Sequence, residues 1–289
     1  MNIAVFGAEG QLGKSLQDIH SDYPQYKFIF TDVDRVDITD YNQVTDFVSG
    51  YKPNIFINCA AYTAVDKAET ENIGAEKLNV YAVENLAKIA AENNIFFLHI
   101  STDYVFNGKS YKPYSECDNT DPVSVYGLTK RNGELSILSS KCRAAIIRTS
   151  WLYSEYGNNF VKTMLRLSEE REQINVVSDQ TGTPTYSRDL AKAIMQIIAQ
   201  NEKIQKQEIF HFSNEGVASW YDFAIEIMRF GKRTAKIFPI STEQYPTPAK
   251  RPYYSVLDKQ KIKSQFTINI PHWKDSLEFC ILNILNEKK

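Results

Sequence analysis

Thr102, Tyr126 and Lys130 are the residues of this chain whose types and spacing could do chemistry together. Ser101-Thr102-Asp103-Tyr104 closes a short apolar run, Phe96–Ser101, that reads as a buried strand. Tyr126-Gly127-Leu128-Thr129-Lys130 opens a stretch to Ser139 with helical character. On a helix, residues at i and i+4 share a face, with Cβ atoms about 5–6 Å apart. A nearby ammonium stabilises tyrosinate, so Lys130 is expected to pull the Tyr126 phenol below its free pKa of about 10. That matches Tyr126 to proton transfer near neutral pH. Thr102, at the carboxyl end of its strand, is placed to donate a hydrogen bond to the same substrate oxygen. The spacing alone has little weight, because Tyr23 and Lys27 share it beside Pro24 in a turn-like setting. Joined to Thr102 and to a glycine-rich turn, the set fits carbonyl reduction. A nicotinamide would supply hydride, Tyr126 the proton, and Lys130 would also reach the nicotinamide ribose.

The glycine-rich turn is Gly7-Ala8-Glu9-Gly10-Gln11-Leu12-Gly13, directly after the apolar run Ile3–Phe6. Gly7 permits the tight turn, Gly10 lets backbone approach a pyrophosphate, and Gly13 allows close helix–strand packing. Glu9, Gln11 and Leu12 belong to the same cofactor-binding turn, whose phosphate rests against a helix N-terminus. Asp32 follows Gly13 by 19 residues, at the end of the second strand, where an acid accepts hydrogen bonds from the adenosine ribose. Its charge favours NADH, whereas Arg35 nearby offsets repulsion of a 2′-phosphate, so NADPH stays open. Asp37 and Ile38 border the adenine.

The elements that must position these groups alternate. Ile3–Phe6, Phe28–Thr31, Ile55–Asn58, Phe96–Ser101 and Ala144–Thr149 read as short buried strands. Leu12–His20, Val44–Val48, Ala75–Asn93 and Tyr126–Ser139 read as helices between them. Repeated βα units predict an α/β fold, a doubly wound parallel Rossmann-type sheet with a smaller, mainly C-terminal substrate lobe. Residues 1–150 and about 174–213 are assigned to the dinucleotide-binding domain. Residues about 151–173 and 214–289 are assigned to the substrate lobe. There, Asn159–Leu167, Trp220–Phe230 and a Pro239–Pro252 extended loop are expected; Ile174–Val177, Arg188–Gln200 and Ile209–Ser213 complete the sheet side.

Composition narrows the class further. The chain has 289 residues, with 33 Lys+Arg against 35 Asp+Glu and a formal net charge of −2, so no general basic surface for nucleic acid is expected. No run is long enough to span a bilayer. Cys59, Cys117, Cys142 and Cys280 are too scattered for a disulfide framework, which points to a reduced cytoplasmic location. Four separated histidines argue against a metal site.

Taken together, the residues resemble the extended short-chain dehydrogenase/reductase superfamily, and within it the dTDP-4-dehydrorhamnose reductases. The likeness runs through Gly7–Gly13, Asn58–Glu69, Ser101–Phe106, Arg148–Trp151, Gly157–Val161, Asp179–Thr185 and Pro248–Pro252. It implies that NADPH or NADH reduces the C4 ketone of a dTDP-sugar, with Thr102, Tyr126 and Lys130 catalytic. It also implies that Ala61, Tyr62 and Thr63 line the nicotinamide side. Thr102, Asp103 and Trp151 would meet the sugar, and Asn159, Gln180 and Arg251 the nucleotide or its diphosphate. Lys130-Arg131-Asn132-Gly133-Glu134 departs from the pattern common after the tyrosine but keeps the lysine. Metal-bridged dimers occur among relatives, but Ser15 and Arg188 stand in the matching regions, so the expectation is no metal and a monomer or homodimer. A nucleotide-sugar 4-epimerase and a catalytically silent regulatory subunit share the fold and are the competing readings. Retention of Thr102, Tyr126 and Lys130 speaks against the second.

Overall fold

Six short runs of β-branched and aromatic residues pair as one parallel sheet in the computed structural model, which describes residues 1–287. From one edge the order is Gln207–His211, Ala144–Thr149, Phe96–Thr102, Ile55–Asn58, Asn2–Phe6 and Lys27–Thr31. Every pairing between these neighbours is parallel. Ile55–Asn58 and Ala144–Thr149 are buried at every position, as a sheet covered on both faces requires. One face packs on Leu12, Leu16, Leu190 and Ile194, from helices Gln11–Ile19 and Ser187–Ile198. The other packs on Val44, Phe47, Leu86 and Ile89, from helices Tyr41–Tyr51 and Ala82–Glu92. The first strand lies between the second and third, so the winding reverses there and opens a crevice at the carboxyl ends.

The lobes divide differently from the sequence expectation. Strand Gln173–Val177 was assigned to the sheet side but pairs with Lys236–Ile240. Its Ile174 and Val176 pack with Phe223, Ile227 and Trp273 of the small lobe. Helix Gln260–Phe266 moves the other way, burying Ile262 and Phe266 against the main sheet's core. Pro239 lies inside the strand Lys236–Ile240, not in a loop; that strand has one neighbour, so a missing N–H is tolerated. Strand Gln207–His211 begins and ends two residues before the expected run. Among the described residues, no helix is long and apolar enough to cross a membrane.

The expected continuous helix Ala75–Asn93 is interrupted. Asn72–Glu76 and Ala82–Glu92 are α-helical, and Lys77–Tyr81 between them is a π turn. The wider turn brings polar Asn79 to 1% exposure. Asn79 accepts from the Tyr62 backbone N–H at 2.9 Å and donates to the Tyr62 carbonyl at 3.1 Å and the Thr129 hydroxyl at 3.1 Å.

Helix Val125–Ser139 docks largely by polar residues, with Ile137 the one large apolar side chain it buries. Thr129, Lys130 and Glu134 are buried, while Leu128, Leu135 and Leu138 are exposed. Close approach is possible because a Cβ on Gly127 would lie 2.2 Å from the Tyr104 carbonyl, and one on Gly133 2.2 Å from that of Asn79. Ser124 caps the helix, accepting from the Gly127 N–H at 3.2 Å. Glu134 receives Arg148 through two bonds, Nε at 2.9 Å and Nη2 at 2.7 Å, and also the Ser101 hydroxyl. Removing one member of such a pair strands a buried charge. Glu134→Ala should therefore cost about 3–5 kcal/mol in denaturant unfolding. A loss below about 1 kcal/mol, the worth of a surface pair, would show that this pair does not dock the helix.

Candidate active site

A cavity of about 980 Å³ opens at the carboxyl ends of the strands. At one end Gly7 turns the chain with φ +75°, and a Cβ there would lie 2.6 Å from the Ala60 nitrogen. Gly13 packs behind the wall, where a Cβ would lie 2.4 Å from the Gly7 carbonyl. Gly10 caps the helix Gln11–Ile19 without a side-chain hydrogen bond, and the first turn holds no acid. Its N–H groups therefore face the cavity as an anion cradle, which fits a dinucleotide diphosphate. Glu9, Gln11 and Leu12 share that wall. Asp32 lines the cavity and also ties the turn together, accepting the Glu9 N–H at 2.9 Å and the Val33 N–H at 2.8 Å. Asp37 and Ile38 line the same end.

The opposite end gathers Thr102, Asp103, Tyr126, Lys130 and Trp151. Thr102 takes the Tyr104 N–H at 3.2 Å and donates to Asp103 at 3.1 Å. Burial pushes the Asp103 carboxyl up to about 6, against hydrogen bonds from Ser255 and Thr102 that favour its charged form. Trp151 is held at φ +47°, its ring stacked on Trp220 with centroids 3.7 Å apart. Trp220 lines the cavity too, a residue that sequence reasoning missed because its segment reads only as an amphipathic helix.

One expectation is overturned. Tyr126 is not pulled below 10; burial pushes its phenol up to about 12, with a Thr102 hydrogen bond opposing and the Asp103 charge adding. Lys130 is engaged elsewhere. Its Nζ donates to the Ile100 carbonyl at 2.7 Å and lies 3.3 Å from His99 Nε2. Burial also brings the Lys130 ammonium down to about 8, against the pull of Glu134.

Four other candidates lie outside the cavity wall. Ala61 and Thr63 line the cavity, but the Tyr62 phenol turns away to Glu71 at 2.8 Å. Asn159 caps helix Phe160–Glu170 and donates to Gln11 at 3.0 Å, so it braces the glycine turn. Gln180 donates to Thr242 at 3.1 Å. Arg251 forms a two-pronged pair with Asp66 at 2.8 and 3.2 Å. Among the described residues, no group of three His, Cys, Asp or Glu side chains is placed to hold a metal ion.

A family model described as the RmlD substrate binding domain matches residues 1–286. The chain belongs to the RmlD substrate-binding family. A dTDP-4-dehydrorhamnose reductase of Aggregatibacter actinomycetemcomitans is 43% identical over 287 residues, covering 96% of this chain and 97% of the relative. The crystal structure of a Clostridium acetobutylicum dTDP-4-dehydrorhamnose reductase superposes with TM-score 0.93 at 41% identity, covering 99% and 100% of the two chains. A Bacillus anthracis dTDP-4-dehydrorhamnose reductase, solved in complex with NADP, gives 0.92 at 38%, covering 98% and 99%.

Within this RmlD-family chain, Asn79 holds the backbone of Ala61–Thr63 through the Tyr62 amide, whereas the Tyr62 phenol is peripheral. Asn79→Ala should weaken nicotinamide dinucleotide binding about 5- to 100-fold, the worth of buried hydrogen bonds. Tyr62→Phe should leave it unchanged. Fluorescence titration with the reduced cofactor checks both, and equal weakening would contradict this division of roles.

Proposed function

We propose that the protein reduces the C4 ketone of dTDP-4-dehydro-6-deoxy-L-mannose (dTDP-6-deoxy-L-lyxo-4-hexulose) to dTDP-β-L-rhamnose, using NADH or NADPH. The observation that carries this reading is the meeting of Thr102, Tyr126 and Lys130 with a glycine-turn anion cradle in one cavity. The names of the full-length relatives supply the sugar nucleotide and the NADP complex of one of them supports the cofactor. When bound, the reduced nicotinamide supplies a hydride to the carbonyl carbon.

The chain's own residues do the rest. Gly7, Gly10 and the N–H groups of the first helix hold the cofactor diphosphate, and Asp32 faces its ribose. Asp103 borders the sugar end of the cavity, and Trp151, backed by Trp220, gives the sugar a flat wall. A Tyr126 phenol near pKa 12 is fully protonated at neutral pH. It is therefore loaded as an acid, and the alkoxide that forms at the carbonyl oxygen is the stronger base that takes its proton. Thr102, its single hydroxyl proton turned from Asp103 to the substrate, donates to that same oxygen, and a protonated Lys130 stabilises the tyrosinate left behind. Every residue given a role comes from one chain, so the site is complete in a monomer and in a homodimer alike.

The test uses purified protein, the 4-keto sugar nucleotide and each reduced cofactor in turn. Oxidation of the cofactor should depend on the sugar nucleotide. Tyr126→Phe should keep cofactor binding and lose about 10²–10⁴ in turnover, as expected for a general acid. No sugar-dependent oxidation would sink the reductase reading, and near wild-type turnover in Tyr126→Phe would assign the proton elsewhere.

A further inference from the structure

Next to Lys130, His99 and Asn58 form a fully buried polar row that the proton transfer above does not use. Its hydrogen-bond directions are determined from the far end. The Ala60 backbone N–H donates to Asn58 Oδ1 at 3.1 Å, so the Asn58 amide must turn its NH₂ the other way. That NH₂ meets His99 Nδ1 at 3.2 Å, which makes Nδ1 an acceptor without a proton. Burial keeps the imidazole neutral, its pKa well below the ordinary value, with the Lys130 charge adding to the effect. A neutral ring with a bare Nδ1 carries its proton on Nε2. His99 Nε2 faces Lys130 Nζ at 3.3 Å.

An ammonium has only hydrogens to offer, so it would meet this N–H donor to donor. A neutral amine fits better. Its lone pair accepts Nε2–H, one hydrogen goes to the Ile100 carbonyl at 2.7 Å, and one is left for the cavity. We infer that His99 is a positioning residue that donates Nε2–H to the lone pair of Lys130, opposes protonation of that lysine, and so sets the alkaline limb of turnover. The inference rests on the reductase reading for its kinetic consequence and on geometry alone for the tautomer.

The surrounding charges do not remove the conflict. Glu134, on the same helix, favours the charged lysine, but its carboxylate is already paired with Arg148. His211 lies beside Arg148 at 3.5 Å, and Glu69 is taken by the Val125 N–H at 2.9 Å. Tyr126 is a neutral phenol on the same helix, and Asp103 is the buried acid after the strand. Lys77 and Tyr81, on the packed π turn, are exposed.

Turnover needs the protonated lysine to stabilise tyrosinate, so it is lost as pH rises through the Lys130 pKa. His99→Leu keeps an apolar filling but removes the donor, so the amine form loses its partner. The alkaline limb should move up by about one pH unit, the equivalent of one buried hydrogen bond. His99→Gln, whose carbonyl can accept from the ammonium, should move it further the same way. A purely structural role would lower turnover at all pH values without moving the limb, and that result overturns the inference. The tautomer is read separately by ¹⁵N NMR of histidine-labelled wild-type protein at neutral pH without substrate, the His99 signals being assigned by their loss in His99→Gln or, if neither variant folds, by coupling to labelled Asn58. A neutral ring protonated at Nε2 is expected. A ring protonated at Nδ1 overturns the inference whatever the enzyme reduces, and a correct tautomer with no sugar-dependent turnover would fault only the reductase reading.

Discussion

The structure depends on a helix that packs backwards. Helix Val125–Ser139 turns Leu128, Leu135 and Leu138 outward and presses Thr129, Lys130 and Glu134 against the sheet. Burying charge costs several kcal/mol per ion unless it is paired and hydrogen-bonded. Here the Glu134–Arg148 pair, the Ser101 hydroxyl, the Ile100 carbonyl and Asn79 meet those needs one by one. Gly127 and Gly133 let the backbone come close enough for short bonds to form. An apolar face would pack at lower cost, but it would not carry Tyr126 and Lys130 to the strand ends.

From that seam the two halves of the cavity follow. The sheet's reversal beside the first strand supplies the crevice, and the glycine turn supplies an uncapped helix end for an anion. Asp32 serves both, facing the cavity while holding the Glu9 N–H. On the far side the small lobe contributes Trp151 and Trp220, and it reaches back to the turn through Asn159 and Gln11. The glycine turn and the Trp151 side of the cavity are thus braced against each other. Tyr126 lines the cavity, and its raised pKa keeps the phenol protonated until a stronger base appears.

Much of this was legible in the sequence, for physical reasons. Short apolar runs and the Gly7–Gly13 turn carry period and backbone constraints, so the sheet and the tight turn after its first strand could be read directly. Thr102, Tyr126 and Lys130 could be placed on a strand end and one helix face. What the spacing could not show was burial. Adjacency to Lys130 suggested a lowered phenol pKa, yet desolvation dominates and the lysine is turned to Ile100 and His99. The π turn at Asn79 hides within an apolar periodicity. Arg251 and Gln180 have the chemistry for a diphosphate, but in the structure they are spent on Asp66 and Thr242. The misplaced run Ile174–Val177 reads as a sheet strand in composition, and only its pairing with Lys236–Ile240 shows which lobe it serves.

In the proposed reaction one cavity delivers hydride to the sugar's C4 while Tyr126 protonates the oxygen. Cofactor carrying deuterium at the transferred position of the nicotinamide tests it most directly, with the product examined by NMR. One deuterium bonded to C4 of dTDP-rhamnose is the expected product. Product without deuterium at C4, or deuterium at any other sugar carbon, would contradict it.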